Sequence, residues 1–294
     1  MDNIVRSKWG IHNRSIEKIN ALYGDVYNLD NKYILKITNI NSNEKQGLIN
    51  SFMNKAHEKG FPVPRTTQTK EGGLFFSESR KTYSLYDYIS GNHYDFKEGS
   101  LIQAATTLAR FHDEFEKELE LEQEVEKVCG DVYPYDLSGI KYYTSEVREA
   151  VKLIDRSERF CVSLPRQIGH FDYIPSNLIF KNGKMIGLID FDIMRVSEKA
   201  RDLAISLHRL TKNELQKKLF LDSYGSINNL TDAELQSMND LYFDEMRDIR
   251  SYYNKPSFDE MKRKLIYTIR RYNISPKPFK VLFDRIKNEK LERV

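Results

Sequence analysis

Residues Gln167 to Asp192 constrain the fold of this chain more than any other stretch. Two short apolar runs, Leu178-Ile179-Phe180 and Met185-Ile186-Gly187-Leu188-Ile189, are joined there by Lys181-Asn182-Gly183-Lys184. Asn-Gly tolerates the positive φ angles that a two-residue connection demands, so the segment predicts a tight β-hairpin. Its flanks are polar, with His170-Phe171-Asp172-Tyr173-Ile174-Pro175-Ser176-Asn177 before it and Asp190-Phe191-Asp192 after it. A loop that carries Asp172 and Asn177, followed by a hairpin that returns Asp190 to the same end, brings three oxygen-bearing groups to two adjacent turns.

The chain differs in kind on the two sides of this island. A short helix is expected over Arg14 to Leu22. A strand over Tyr23 to Leu29, a turn at Asp30-Asn31 and a returning strand over Lys32 to Ile37 then make a hairpin. From Asn43 to Lys59, Leu48, Ile49, Phe52 and Ala56 recur at helical spacing, and Gly60 closes the helix before Pro62 and Pro64. Further strands are expected over Gly73 to Ser77 and Thr82 to Ile89, ending at Ser90-Gly91. Beyond them, Leu101 to Glu126, Gly139 to Ser157 and most of the chain from Leu203 onward read as helix. The fold class is therefore α+β and bilobal. Residues 1–91 form a small antiparallel lobe with one main helix, and residues 92–294 form a larger, mostly helical lobe.

At 294 residues and 34.6 kDa the chain can bury a large core. No apolar stretch approaches the roughly 18 residues of a membrane span, and the N-terminus lacks the layout of a secretory signal. A cytoplasmic protein with no membrane partner is expected. Cys129 and Cys161 have neither disulfide-framework nor zinc spacing. A net charge of +3 does not call for nucleic acid. Lys262-Arg263-Lys264 and Arg270-Arg271 read as a solvated helix face.

Phosphoryl transfer needs a carboxylate to orient and deprotonate the acceptor, and oxygen ligands that hold magnesium against a triphosphate. Asp172 suits the first task, Asn177 and Asp190 the second. Taken singly, each has a plainer role available as a turn cap or a strand-end carboxylate.

Taken together, His-x-Asp-x-x-x-x-Asn, the hairpin and Ile-Asp-Phe-Asp resemble the signature of the aminoglycoside phosphotransferase and choline kinase superfamily. That superfamily includes homoserine kinase-like and spore-coat members and shares its fold with protein kinases. The resemblance implies an ATP- and Mg2+-dependent kinase that moves the γ-phosphate to a hydroxyl of a small molecule. Asp172 becomes the catalytic base, and Asn177 and Asp190 the metal ligands. Lys36, flanked by Leu35 and Ile37, becomes the lysine that contacts the α- and β-phosphates, with Glu44 as its partner from the following helix. Glu44 lies near the helix start, where the helix dipole also favours a solvated glutamate. Asp87 and Ile89, on the strand that leads to Gly91, fall where family members read the adenine edge with backbone groups. The aspartate of Arg201-Asp202-Leu203-Ala204 is structural in the family, and Leu108 to His112 resembles a family helix.

Phe171 stands where protein kinases carry a phosphate-sensing arginine, which points to a small-molecule acceptor. The phosphate-covering loop has one glycine, Gly24, where protein kinases have several, and no GxxxxGK[ST] is present. A catalytically silent, spore-coat-like binding or structural protein is the alternative. Acceptor contacts are open: Glu114 to Glu126, and Tyr242, Phe243, Asp244, Glu245, Asp248, Tyr252 and Tyr253, suit an amine by charge and cation–π contact. A solvated acidic helix and an ordinary aromatic core explain the same letters.

Overall fold

A computed structural model describes residues 1–19, 24–39, 43–129, 164–238 and 241–242. The chain divides into two compact units. The first, Met1–Val132 with Pro165–Thr231, holds nearly all of the described residues. Of the second, Tyr133–Leu164 with Asp232–Val294, the longest described stretch is helical, residues 232–238. The expected helix at 139–157, Cys161, and the basic and aromatic residues beyond Tyr242 lie outside the described residues.

The first unit opens with helix α1 (Asp2–Trp9), closed by Gly10 at φ 74°. A five-stranded antiparallel sheet follows, in the order β1-β2-β3-β5-β4. Its strands are β1 (Ile16–Ile19), β2 (Asp25–Leu29), β3 (Tyr33–Asn39), β4 (Phe76–Glu78) and β5 (Lys81–Asp87). In the described part of the helix expected over Arg14 to Leu22, residues 14–19, no helix forms, and Ile16–Ile19 pairs with β2 instead. The Asp30 carboxylate accepts from the Arg14 and Ser15 N–H groups at 2.6–3.1 Å. This anchors the chain at the β2–β3 turn and lays residues 16–19 along the sheet edge, and such tertiary pairing outweighs a weak local preference. Both turn residues, Asp30 and Asn31, have φ above 50°, as a primed hairpin turn requires.

Side-chain alternation gives the sheet two different faces. Leu35, Ile37, Tyr83 and Leu85 pack with Val5 and Trp9 of α1 in one buried cluster. Lys36, Ser84 and Tyr86 point the other way, toward helix α2 (Asn43–Glu58), whose Asn50 bonds both Ser84 and Tyr86.

After β6 (Asn92–His93) the expected helix from Leu101 to Glu126 is two helices, α3 (Glu98–Phe115) and α4 (Leu119–Cys129). Apolar periodicity runs through the break and conceals it. The turn at 116–118 sets Glu118 against Lys55 of α2 and Lys59 just beyond its end. The island folds as read: β7 (Arg166–Gly169), a 3₁₀ turn (Pro175–Asn177), β8 (Leu178–Lys181) and β9 (Lys184–Leu188). Asn182 and Gly183 hold φ 51° and 74° at the hairpin tip. β10 (Arg195–Glu198), which pairs with β7, leads into α5 (Lys199–Leu210) and α6 (Glu214–Gly225).

Phe52 of α2, Phe61, Phe111 and Phe115 of α3, and Phe191 form an aromatic cluster with centroid separations of 4.7–6.4 Å. It ties α2 to the segment that follows β9. Among the described residues, no helix is long and apolar enough to cross a membrane.

Candidate active site

The loop after β7 is held from below by one buried carboxylate. Asp202, fully buried in the first turn of α5, accepts from the His170 and Phe171 N–H groups, each at 2.8 Å. Its Oδ2 also meets His112 Nε2 at 3.1 Å, and His112 Nδ1 lies 2.8 Å from the Tyr224 hydroxyl. Burial alone would raise the Asp202 pKa, but the His112 hydrogen bond and charge outweigh it and hold it low. A Cβ on Gly169 would sit 2.6 Å from the Phe171 ring and 2.9 Å from Asp202 Oδ2, so the loop leaves this carboxylate only over a glycine. Phe171 takes φ 61° and carries the Arg195 guanidinium 3.7 Å above its ring.

His170 joins the loop to the far end of the hairpin. Its Nδ1 accepts from the Asp172 N–H at 3.1 Å, which assigns the proton to Nε2, the donor to Ile189 O at 3.1 Å. Burial lowers its pKa, so it stays neutral and serves as a brace.

Asp172 is gripped by Asn177, whose Nδ2 donates to the Asp172 carbonyl at 2.9 Å and to its Oδ2 at 2.7 Å. That orientation turns the amide oxygen of Asn177 away from Asp172. Burial, followed by the charge of Asp190, raises the Asp172 pKa to about 6, against the opposing Asn177 bond.

In Asp190-Phe191-Asp192 the aromatic ring turns inward, 4.5 Å from the His170 ring, and both carboxylates are left on the opposite side. Lys36 Nζ lies between them, 2.7 Å from each. Burial would depress the Lys36 pKa, but the charges of Asp192 and Asp190 raise it well above the usual lysine range. Asp190 is lowered in turn, as the charge of Lys36 overcomes its burial. Its backbone sits at φ 68°, a conformation that a non-glycine residue adopts at a cost and that bends the chain out of β9.

Of the residues expected in the site, Asp172, Asn177, Asp190 and Lys36 are brought together. Glu44 is not: it sits exposed in the first turn of α2 and makes no ion pair among the described residues, so Lys36 pairs with Asp190 and Asp192 instead. The Asp87 N–H donates to Arg65 O at 3.0 Å and its carboxylate pairs with Arg65 at 3.2 Å. Ile89 lies two residues beyond β5, half-buried, after Tyr88, whose N–H donates to Lys32 O. Gly24, at φ 72°, precedes β2, and the four residues before it lie outside the described ones.

Sequence reasoning assigns no role to Asp192, although a buried Phe between two aspartates already implies that both face one way. It also missed the polar residues of α2, for which no motif exists.

A sequence model of the phosphotransferase enzyme family matches residues 16–234. Homoserine kinase of Gluconobacter oxydans (strain 621H) is 34% identical over 99 residues, which span 31% of this chain and 31% of that protein, so the match covers under a third of the relative's length. Three solved structures are similar over most of their length. Amicoumacin kinase hAmiN, in complex with AMP-PNP, Ca2+ and Ami, aligns with TM-score 0.67 and 17% identity over 90% of each chain. The microcompartment-associated aminopropanol kinase aligns at 0.66 and 13%, over 90% of this chain and 92% of that one. The gentamicin complex of APH(2")-IIa aligns at 0.63 and 16%, over 90% and 93%. At these identities the likeness establishes the fold, the bilobal α+β fold expected from the sequence.

Proposed function

Because the chain belongs to the phosphotransferase enzyme family, we propose that it is an ATP-dependent kinase that transfers the γ-phosphate to a hydroxyl of a small molecule. The observation that carries this reading is the convergence of Asp172, Asn177, Asp190 and Lys36 from a loop, a hairpin end and a separate sheet. An amino alcohol, an aminoglycoside or a similar compound is the proposed acceptor. The names of the similar proteins, which include an aminopropanol kinase and a homoserine kinase, support this class. Residues 1–91 form the proposed nucleotide lobe and residues 92–294 the catalytic and substrate lobe.

In this reading the Asp172 carboxylate orients the acceptor hydroxyl and takes its proton as the oxygen attacks phosphorus. Asn177 holds that carboxylate in place through Nδ2. Lys36 has a small, rigidly held ammonium, suited to bridging the oxygens of the α- and β-phosphates, and Asp190 and Asp192 are its resting counter-charges. Asn177 and Asp190 fit magnesium: one amide oxygen and one carboxylate are hard oxygen donors, and this cation takes few protein ligands beside phosphate and water. When bound, the cation would supply neutralising charge against the triphosphate. The adenine edge falls to the main chain between Asp87 and Ile89.

The test is acceptor-dependent ADP release with a panel of amino alcohols, hydroxy amino acids and aminoglycosides. Asp172→Asn should lower kcat by about 10²- to 10⁴-fold with nucleotide affinity nearly unchanged. Turnover that survives this substitution would remove Asp172 from the mechanism.

A further inference from the structure

The sheet face that meets α2 carries polar groups for which the reacting residues give no account. Lys36 on β3 lies directly opposite Ser84 on β5, and Tyr86 is its diagonal neighbour on the same face. Asn50 of α2 reaches this face fully buried. Its Nδ2 donates to Ser84 Oγ at 3.1 Å and to Leu74 O at 3.0 Å. Its Oδ1 accepts from the Tyr86 hydroxyl at 2.8 Å and from Gln46 Nε2 at 3.0 Å. Gln46 Nε2 is also 3.3 Å from the Tyr86 oxygen. Every donor and acceptor position of the Asn50 amide is therefore in use. A buried network satisfied to this degree holds its members in one arrangement. Lys36 leaves the sheet on this same face, opposite Ser84, and ends 2.7 Å from Asp190 and Asp192.

We propose that Asn50, Tyr86 and Gln46 are positioning residues for Lys36. From α2 and β5 they do, with neutral groups, what a helix carboxylate would do by ion pairing, and this inference rests on the phosphotransferase reading of Lys36. Charge makes the neutral solution the better one here. Two carboxylates already face the ammonium, and a third from α2 would repel them and compete with an incoming triphosphate for the lysine. Burial pushes the Tyr86 hydroxyl up to about 12, so the network stays uncharged across the working range.

Tyr86→Phe removes a single oxygen, and Asn50→Leu removes the hub. In Tyr86→Phe, KM for MgATP should rise and kcat should fall, each roughly tenfold, while KM for the acceptor changes by less than about twofold. Since the residues act as a unit, the double variant should be no worse than the poorer single one. A second readout needs no turnover: modification of Lys36 by an amine-reactive reagent, followed by peptide mass spectrometry, should be roughly fivefold faster in Tyr86→Phe, in line with the loosened lysine.

A folded Tyr86→Phe protein with unchanged Lys36 labelling would overturn the proposal and reduce the network to packing between helix and sheet. A nucleotide KM within about twofold of the parent's would do the same. If the parent protein transfers no phosphate to any acceptor, the functional reading fails by itself, and the labelling rates still decide this inference. Should Asn50→Leu not fold, Tyr86→Phe decides alone.

Discussion

An aspartate in water loses its proton near pH 4, too acidic to take one from a hydroxyl with any force. Asp172 is altered by its surroundings: burial first and the Asp190 charge second raise it to about 6. The free enzyme's kcat/KM should therefore fall as pH drops through about 6, because the protonated carboxyl cannot accept the acceptor's proton. A profile from pH 5 to 8 reads this directly, and an acid limb near 4 would show that Asp172 is not the group being titrated.

The same shift has the opposite sign in stability. The folded state holds the Asp172 proton more tightly than the unfolded chain does, so that contribution is present at low pH and lost as pH rises through about 6. Asp202 is lowered, and its contribution is present above the ordinary carboxylate range and lost as pH falls through its folded value. The order His170, Asp172, Asn177, Asp190 is legible in the sequence because it follows the chain. The pairing of Lys36 with Asp190 and Asp192 is not legible, since 154 positions separate the lysine from Asp190.

At the scale of elements, α2 packs against both the sheet face that carries Lys36 and the segment that carries Asp190 and Asp192. It is held to the rest by two kinds of contact: Phe52 against Phe191, 5.7 Å between centroids, and Lys55 and Lys59 against Glu118. These should differ sharply in weight. Phe191→Ala removes a ring that is 1% exposed and should cost about 3 kcal/mol or more in urea unfolding. Glu118→Ala removes two partly exposed ion pairs and should shift the midpoint far less, with the small effect fading in high salt. Equal losses would mean that the aromatic cluster is looser than its distances indicate.

Helix α2 itself is readable from Leu48, Ile49, Phe52 and Ala56, and its end from Gly60. The strand β1 is not, because four residues with no turn signal of their own acquire strand geometry only from β2 and the Asp30 anchor. The break between α3 and α4 is hidden for a related reason. Both helices bury faces of the same periodicity, and only the packing of Glu118 against α2 reveals the turn.

For the whole molecule, a nucleotide bound across Lys36, Asn177 and Asp190 should stabilise the fold by mass action. With MgATP at about one hundred times its Kd, the gain should be about 2.7 kcal/mol, visible as a rise in Tm that Lys36→Ala diminishes. No shift at any concentration would remove nucleotide binding and the proposed activity with it. By itself the sequence determined what local chemistry can determine: two hairpin turns set by φ-tolerant residues, the α+β succession, and the spacing of Asp172, Asn177 and Asp190, the proposed base and metal ligands, along one continuous island. Only the tertiary structure decided which partner Lys36 takes, that Asp192 shares it, and that α2 buries Asn50 against Ser84 and Tyr86 while Glu44 stays exposed. The physical reason is that these are contacts between elements far apart in the chain. Burial on the sheet face, competition among like charges and the need to satisfy every buried polar group choose there among residues that no local pattern distinguishes.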